Sequence, residues 1–151
     1  MRFLGTTSLE FNEFLEGSIP PYATLSHTWG SSEEEVSFRN MPTLEPENLE
    51  RDRKYGYSKV VNTCRLARRG GLHYAWVDTC CIDKSSSAEL TESINSMFCW
   101  HENADICYVH LADVTPETNL VEGLRHCRWI RRGRTLHELI APRECKIFDS
   151  D

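Results

Sequence analysis

The chain has 151 residues, of which 40% are hydrophobic and 26% charged, with a formal net charge of −6. Four Trp, five Tyr and six Phe give it enough apolar surface for one folded domain, which excludes a disordered tail and a collagen-like or linker composition. No run approaches the ~20 apolar residues of a membrane span, and the opening MRFLGTTSLEFNEFLEG lacks the apolar stretch of a secretory signal, so an intracellular, cytoplasmic domain is expected.

In chain order, residues 20–30, PPYATLSHTWG, open on a Pro pair and close on Gly, and Tyr22, Thr24, Leu25 and Thr28 predict a strand between them. Ser31–Asn40 begins polar and then reads as a short extended piece around Val36 and Phe38. Residues 41–56 hold two Pro and many charges, and are expected to form the most mobile loop. Tyr57–Arg69 reads as a helix with Ser58 as N-cap, a face of Val60, Val61, Cys64, Ala67 and Arg68, and a stop at Gly70-Gly71. Leu72–Cys81 contains Tyr74, Ala75, Trp76 and Val77, an apolar run that suits a buried strand ending at Asp78.

Ser86 and Glu89 have capping-box spacing, and Leu90, Ile94, Met97, Phe98 and His101 then mark one apolar helical face. Asp105–Leu111 is the next predicted strand, followed by a loop with Pro116. Arg128–Ile140 reads as one helix, stopped by Pro142, in which Leu136 and Leu139 are expected to face inward. Glu144–Phe148 is the last strand. Strands and helices thus alternate, which predicts an α/β fold: a parallel sheet with helices on both faces, incomplete at the C-terminus. In such sheets ligands bind at the carboxyl ends of the strands, here Ser26–Gly30, Asp78–Asp83, His110–Val114 and residues beyond Phe148.

Charge is uneven. Residues 53–84 carry seven bases and two acids, and residues 119–151 seven bases and five acids, within an otherwise acidic chain. The blocks around Arg65/Arg68/Arg69 and Arg125–Arg134 read either as solvated helix faces or as a joint phosphate site. The acidic total and the lack of a basic motif argue against nucleic acid. Neither GxGxxG nor GxxxxGK[ST] occurs. The seven cysteines are odd in number and form no CxxC, so they read as reduced, mostly buried thiols. Cys99/His101, Cys107/His110 and His126/Cys127 match no common zinc spacing, and no metal is expected. Asp78 and Asp83 flank Cys80 and Cys81 and disfavour a reactive thiolate there.

Three strings carry a resemblance: PPYATLSHTWG (20–30), YAWVDTCCIDKSSSAELTESINSMF (74–98) and RWIRRGRTLHELIAP (128–142). Together they resemble the heterokaryon incompatibility (HET) domain of filamentous fungi, whose blocks read roughly LSxxWG, WIDxxCID and GWTLxELxAP. Residues 1–151 are then a single HET domain. The family is considered distantly related to TIR domains, so the resemblance implies a flavodoxin-like, TIR-like sheet, and a role in cell death when different hyphae fuse. Many TIR domains hydrolyse NAD⁺ with a helical Glu. The resemblance places Glu138 in that position, with NAD⁺ as substrate. Ser26, His27, Trp29 and Gly30 would line the pocket, and Asp78 and Asp83 the neighbouring strand end. Arg134 stands where the family usually has Trp, and an arginine there would pair with the pyrophosphate. His137 stands where Gln is common. The resemblance also implies self-association on activation and an upstream receptor or incompatibility partner. A non-catalytic assembly module in the same pathway is the alternative.

Overall fold

The computed structural model describes residues 1–41, 55–115, 119–133 and 135–148. The predicted mobile loop falls mostly on 42–54, outside the described residues, as do Pro116, Arg134 and the residues beyond Phe148. Two strands that the sequence did not announce come first: β1 (Arg2–Gly5) and β2 (Phe11–Glu13), an antiparallel pair. Their turn lacks the Gly or Asn that usually signals a hairpin, and Leu9 takes the left-handed position itself, at φ 57°.

The predicted alternation then follows as β3 (Tyr22–His27), α1 (Tyr55–Arg69), β4 (Tyr74–Trp76), α2 (Ser87–Glu102) and β5 (Ile106–His110). Two segments depart from expectation. Ser31–Asn40 forms turns with no strand, with Val36 fully buried. Past Trp76 the chain turns at once, with the Cys81 amide on the Val77 carbonyl at 2.8 Å, so β4 is shorter than Leu72–Cys81.

The expected helix over 128–140 is not continuous. After an unpredicted α3 (Leu120–His126) come a 3-10 turn (Trp129–Arg131) and a separate α4 (Thr135–Ile140), then β6 (Cys145–Phe148). The break has a physical reason. In one helix Trp129 and Glu138 would lie about 13 Å apart along the axis, yet both hydrogen-bond the same hydroxyl, that of Ser26. Gly133 lies in the break.

The described strands form one sheet in the order β2-β1-β4-β3-β5-β6. β4, β3, β5 and β6 are mutually parallel, and β1 runs antiparallel to β2 and β4. The fold is therefore α/β, with a mixed, mostly parallel sheet. Numbered from β3 in chain order, the parallel strands stand 2-1-3-4, as in flavodoxin-like sheets. Right-handed crossovers then require α1 on one face and the later helices on the other. Side chains agree. Ala23, Ile106 and Tyr108 pack with Ala67 of α1, while the Tyr22 hydroxyl donates to the Trp100 carbonyl of α2 on the opposite face at 2.6 Å. Cys107 and Val109 pack with Cys127 and Trp129 on that second face. The two basic blocks consequently lie on opposite faces. Arg68, Arg69 and Arg125 are exposed, as solvated helix surface.

Local signals hold α1 and α2 in place. At the end of α1, Leu72 N bonds Ala67 O at 2.9 Å and Gly71 N bonds Arg68 O at 3.0 Å, with Gly71 at φ 82°. This is the Schellman pattern, which favours glycine at that φ. The buried residues of α1 are Gly56, Lys59, Val60, Thr63, Cys64 and Ala67, so its inner face is rotated away from Val61 and Arg68 and toward a lysine. Ser86 caps α2 by accepting from Glu89 N at 3.3 Å, while the Glu89 carboxylate takes Asp83 N at 2.8 Å and Arg2. The inner face of α2 is Ser93, Met97 and His101, and Ile94 and Phe98 remain 48% and 41% exposed. In α4, too, the expected face is inverted. Thr135 and Glu138 are buried, whereas Leu136, Leu139 and Ile140 meet solvent.

Candidate active site

The strand order reverses between β3 and β5, and buried polar residues, among them Ser26, His27, Asp78 and His110, gather at the carboxyl ends of the strands there. Alternation along β3 sends Thr24 and Ser26 toward α2 and α4, and Leu25 and His27 toward α1. The site thus has two sides, separated by the strand.

On the α4 side Ser26 is the hub. Its hydroxyl accepts the Trp129 indole N–H at 2.7 Å and donates to Glu138 Oε2. Arg132 grips the same carboxylate with both terminal nitrogens, at 3.1 Å to Oε2 and 3.2 Å to Oε1. Thr135 donates its hydroxyl to the Trp129 carbonyl, tying the 3-10 turn to the start of α4. Glu138 is 3% exposed. A carboxylate removed from water this far needs donors in place of its hydration, and the bidentate guanidinium and the serine hydroxyl supply them.

On the α1 side an ion pair shapes the Trp29-Gly30 turn. Lys59, 1% exposed, donates to Glu35 Oε1 at 2.5 Å and to the Thr28 carbonyl at 3.2 Å. Glu35 Oε1 also accepts Gly30 N at 2.6 Å. The N-terminus of α1 comes very close to this turn, and a Cβ on Gly56 would lie 2.7 Å from the Glu34 carbonyl oxygen. Only glycine permits that approach without a backbone shift.

His27 and Asp78 lie next to this pair. His27 Nε2 is 3.9 Å from Glu35 Oε2 and 4.0 Å from Asp78 Oδ1. Burial, with the nearby charges of Lys59 and Arg132, holds the His27 imidazole well below its ordinary range, so it is neutral. Burial pushes the Asp78 carboxyl up to about 6, against the pull of Lys84. Asp78 accepts the Trp29 indole N–H at 3.1 Å and 3.3 Å. Trp29 remains 43% exposed, with Lys84 Nζ 3.6 Å from its ring centroid.

Of the predicted residues, Ser26 and Glu138 meet on one side of β3, and His27, Trp29, Gly30 and Asp78 gather at its end. Asp83 stands apart. Its carboxylate accepts Ser85 N at 3.0 Å and the Ser85 hydroxyl at 2.6 Å, which holds the turn before α2. Arg134 lies outside the described residues. Sequence reasoning missed Trp129, Arg132, Glu35 and Lys59, whereas His101 stands on the inner face of α2, in line with its place in the predicted apolar stripe. Lys59 had a signal, because Gly56, Lys59/Val60, Thr63/Cys64 and Ala67 follow helical spacing. Arg132 had none, since it reaches Glu138 across the break before α4.

His101, 2% exposed, sits with Nδ1 3.9 Å from Cys107 Sγ, and burial lowers its pKa to about 4. Among the described residues no three His, Cys, Asp or Glu side chains converge in metal-ligand geometry. Among them, too, no helix is long and apolar enough to cross a membrane. A cavity of about 330 Å³ lies between α2 and α4, with His101 and Glu138 in its wall. A wider cleft of about 760 Å³ lies near the amino ends of β3 and β5, lined by residues such as Pro20, Trp100 and Asp105. Of its three acidic residues, Glu16, Glu92 and Asp105, the last is engaged with Tyr22 N at 3.2 Å, away from the cluster around Ser26.

The sequence has known relatives. Residues 22–144 match the family model described as Heterokaryon incompatibility protein (HET). Over 142 residues the chain is 45% identical to the vegetative incompatibility protein HET-E-1 of Podospora anserina, an alignment covering 89% of this chain and 10% of that protein. The chain therefore spans about a tenth of the length of the curated relative it matches. No solved structure matches it.

Proposed function

The chain belongs to the heterokaryon incompatibility family, and from that membership we propose that it is a cytoplasmic effector of fungal heterokaryon incompatibility and programmed cell death that hydrolyses NAD⁺ in a TIR-like manner at Glu138. One observation supports this reading above the others: Glu138 is a buried carboxylate at the carboxyl end of β3, oriented by Ser26 and Arg132. Hydrolysis breaks the bond between the ribose C1′ and the pyridinium nitrogen. The electron pair of that bond goes to the nitrogen, nicotinamide leaves neutral, and positive charge develops on the ribosyl carbon. A preorganised carboxylate beside that carbon stabilises the charge without reorganisation. Water then adds at C1′ and loses a proton, giving ADP-ribose, nicotinamide and one proton.

In this reading Ser26 and the Trp29-Gly30 turn frame the ribose and pyrophosphate, and Trp29 offers its exposed ring face to a base. His27 and Asp78 support that turn, Asp83 flanks the neighbouring strand end, and Arg134 pairs with the pyrophosphate. Incubating the self-associated protein with NAD⁺ tests the proposal. Nicotinamide release that falls at least a hundredfold in Glu138→Ala supports it. Absence of release from every oligomeric form, or equal release from the variant, overturns it.

A second reading has its own observation. Leu136, Leu139 and Ile140 of α4 are 60%, 43% and 64% exposed, an apolar surface suited to association with a second copy or an incompatibility partner. If the chain is a non-catalytic assembly module, its toxicity survives Glu138→Ala and is lost in Leu136→Glu with Ile140→Glu.

A further inference from the structure

We propose that Cys107 and Cys145 form a two-electron redox site, a dithiol that a hydroperoxide closes into an intrachain disulfide, tying the edge strand β6 to β5. The site stands apart from the NAD⁺ reading and does not depend on it.

The first observation is register. β5 and β6 are parallel neighbours, and Cys107 and Cys145 are direct partners across them. Neighbouring strands lie about 4.7–4.9 Å apart, inside the roughly 4.4–6.8 Å of Cα separation that a disulfide spans. Partners in register point to the same face of the sheet, and both side chains pack in the cluster with Val109, Cys127 and Trp129. Closing the bond therefore asks for side-chain rotation without a strand slip.

The second observation is the unequal setting of the two sulfurs. Cys107 is fully buried on an inner strand, whereas Cys145 is partly exposed on the edge strand. The hydrogen bond between them, together with burial, raises the Cys107 thiol, and the same hydrogen bond lowers Cys145. One sulfur is then the accessible thiolate and the other the protected thiol that resolves it. Cys64, Cys80, Cys81 and Cys127 are buried, and Cys99 stands exposed on α2. Among the described residues, Cys145 alone combines access with a cysteine as its strand partner.

The chemistry balances with the peroxide as oxidant. Cys145 gives up its proton, and the thiolate attacks one peroxide oxygen. The O–O bond breaks, the second oxygen leaves as hydroxide and takes that proton as water, and Cys145 becomes a sulfenic acid. The Cys107 sulfur then attacks the Cys145 sulfur. The S–O bond breaks, and hydroxide leaves with the Cys107 proton as a second water. The residues between the two cysteines include α3, the 3-10 turn and α4. The bond thus closes a loop around the segment that holds Trp129, Arg132 and Glu138, and restricts the unfolded chain.

The test treats the folded full chain with hydrogen peroxide, blocks remaining thiols with N-ethylmaleimide, and maps disulfides by mass spectrometry after trypsin. A Cys99→Ser background is used, because no Lys or Arg separates residues 99 and 107. The expected product is a cross-link between the peptides carrying Cys107 and Cys145, reversed by dithiothreitol, with Tm raised by about 5 °C or more. In Cys145→Ser, oxidation of the first thiol should slow about tenfold or more. In Cys107→Ala, Cys145 should stop at the sulfenic acid, which dimedone captures. Circular dichroism checks both folds, and Cys145→Ser, at a partly exposed edge position, keeps the test decisive if Cys107→Ala unfolds. No cross-link, a disulfide to any other cysteine, or an unchanged oxidation rate in Cys145→Ser overturns the proposal. So does a cross-link that forms only in urea or that lowers Tm.

Discussion

Ser26 and Glu138, 112 residues apart in the chain, share a buried hydrogen bond at the carboxyl end of β3. The serine hydroxyl is also the acceptor for the Trp129 indole, so one oxygen joins a central strand to the 3-10 turn and to α4. The carboxylate is completed from outside by Arg132. This arrangement makes the site a structural joint as well as a candidate for chemistry, and the two roles separate in experiment.

Ser26→Ala removes the shared oxygen and leaves the buried Trp129 N–H without its acceptor. A loss of about 1–3 kcal/mol in unfolding free energy is expected. Ser26→Thr should retain most of the stability, since it keeps the hydroxyl. Urea unfolding of the two variants checks this.

Arg132→Met leaves the Glu138 carboxylate buried without its counter-charge, and a loss of about 3 kcal/mol is expected. Arg132→Lys should recover only part of it, because an ammonium cannot form two parallel bonds to the carboxylate. The double variant Arg132→Met/Glu138→Gln should be more stable than Arg132→Met alone, measured in one double-mutant cycle.

Lys59→Met removes the cation between Glu35 and the Thr28 carbonyl. About 3 kcal/mol should be lost while Glu35 remains, and much of it regained in Lys59→Met/Glu35→Leu, where no buried charge is stranded. Because Glu35 holds Gly30 N, the single variant should also change Trp29 fluorescence before global unfolding begins.

The pH dependence combines opposing signs. His27 and His101 have lowered folded pKa values, His101 at about 4 against an ordinary 6.5, so the unfolded chain binds more protons between those values. Their contribution is complete above the unfolded pKa and is lost as pH falls through the folded one. Asp78 is raised from 3.8 to about 6, so the folded chain binds the extra proton in that window and its contribution is lost as pH rises. Two histidines against one carboxyl predict stability that falls as pH drops from about 6.5 to about 4. Asp78→Asn should steepen that fall and His101→Asn should flatten it, read from urea midpoints across the range.

Much of the architecture was legible because it rests on local patterns. The short apolar runs of Tyr22–His27, Tyr74–Trp76 and Ile106–His110, separated by helical spacing and stopped by Gly70-Gly71, announce a parallel α/β sheet. The first hairpin was hidden because Leu9 does the work of a turn glycine. The helix over 128–140 was misread because periodicity carries no information about a hydroxyl on a distant strand. Leu136 and Leu139 were expected inside for the same reason: their spacing is helical, but α4 is oriented by what Thr135 and Glu138 bond.

The amino-acid sequence by itself determined the alternation from β3 to β5, the strand ends where polar residues collect, and the family to which the chain belongs, since each is written in short contiguous blocks. Only the tertiary structure decided that Glu138 is buried and gripped by Arg132, that Lys59 and Glu35 form an internal pair, and that Ile94 and Phe98 face a cavity. Those facts depend on which side of a helix meets the sheet. The balance is set by a few hydrogen bonds to buried charge, which outweigh the burial of exposed leucines because an unpaired internal charge costs several kcal/mol and a solvent-facing leucine about 1.5–3.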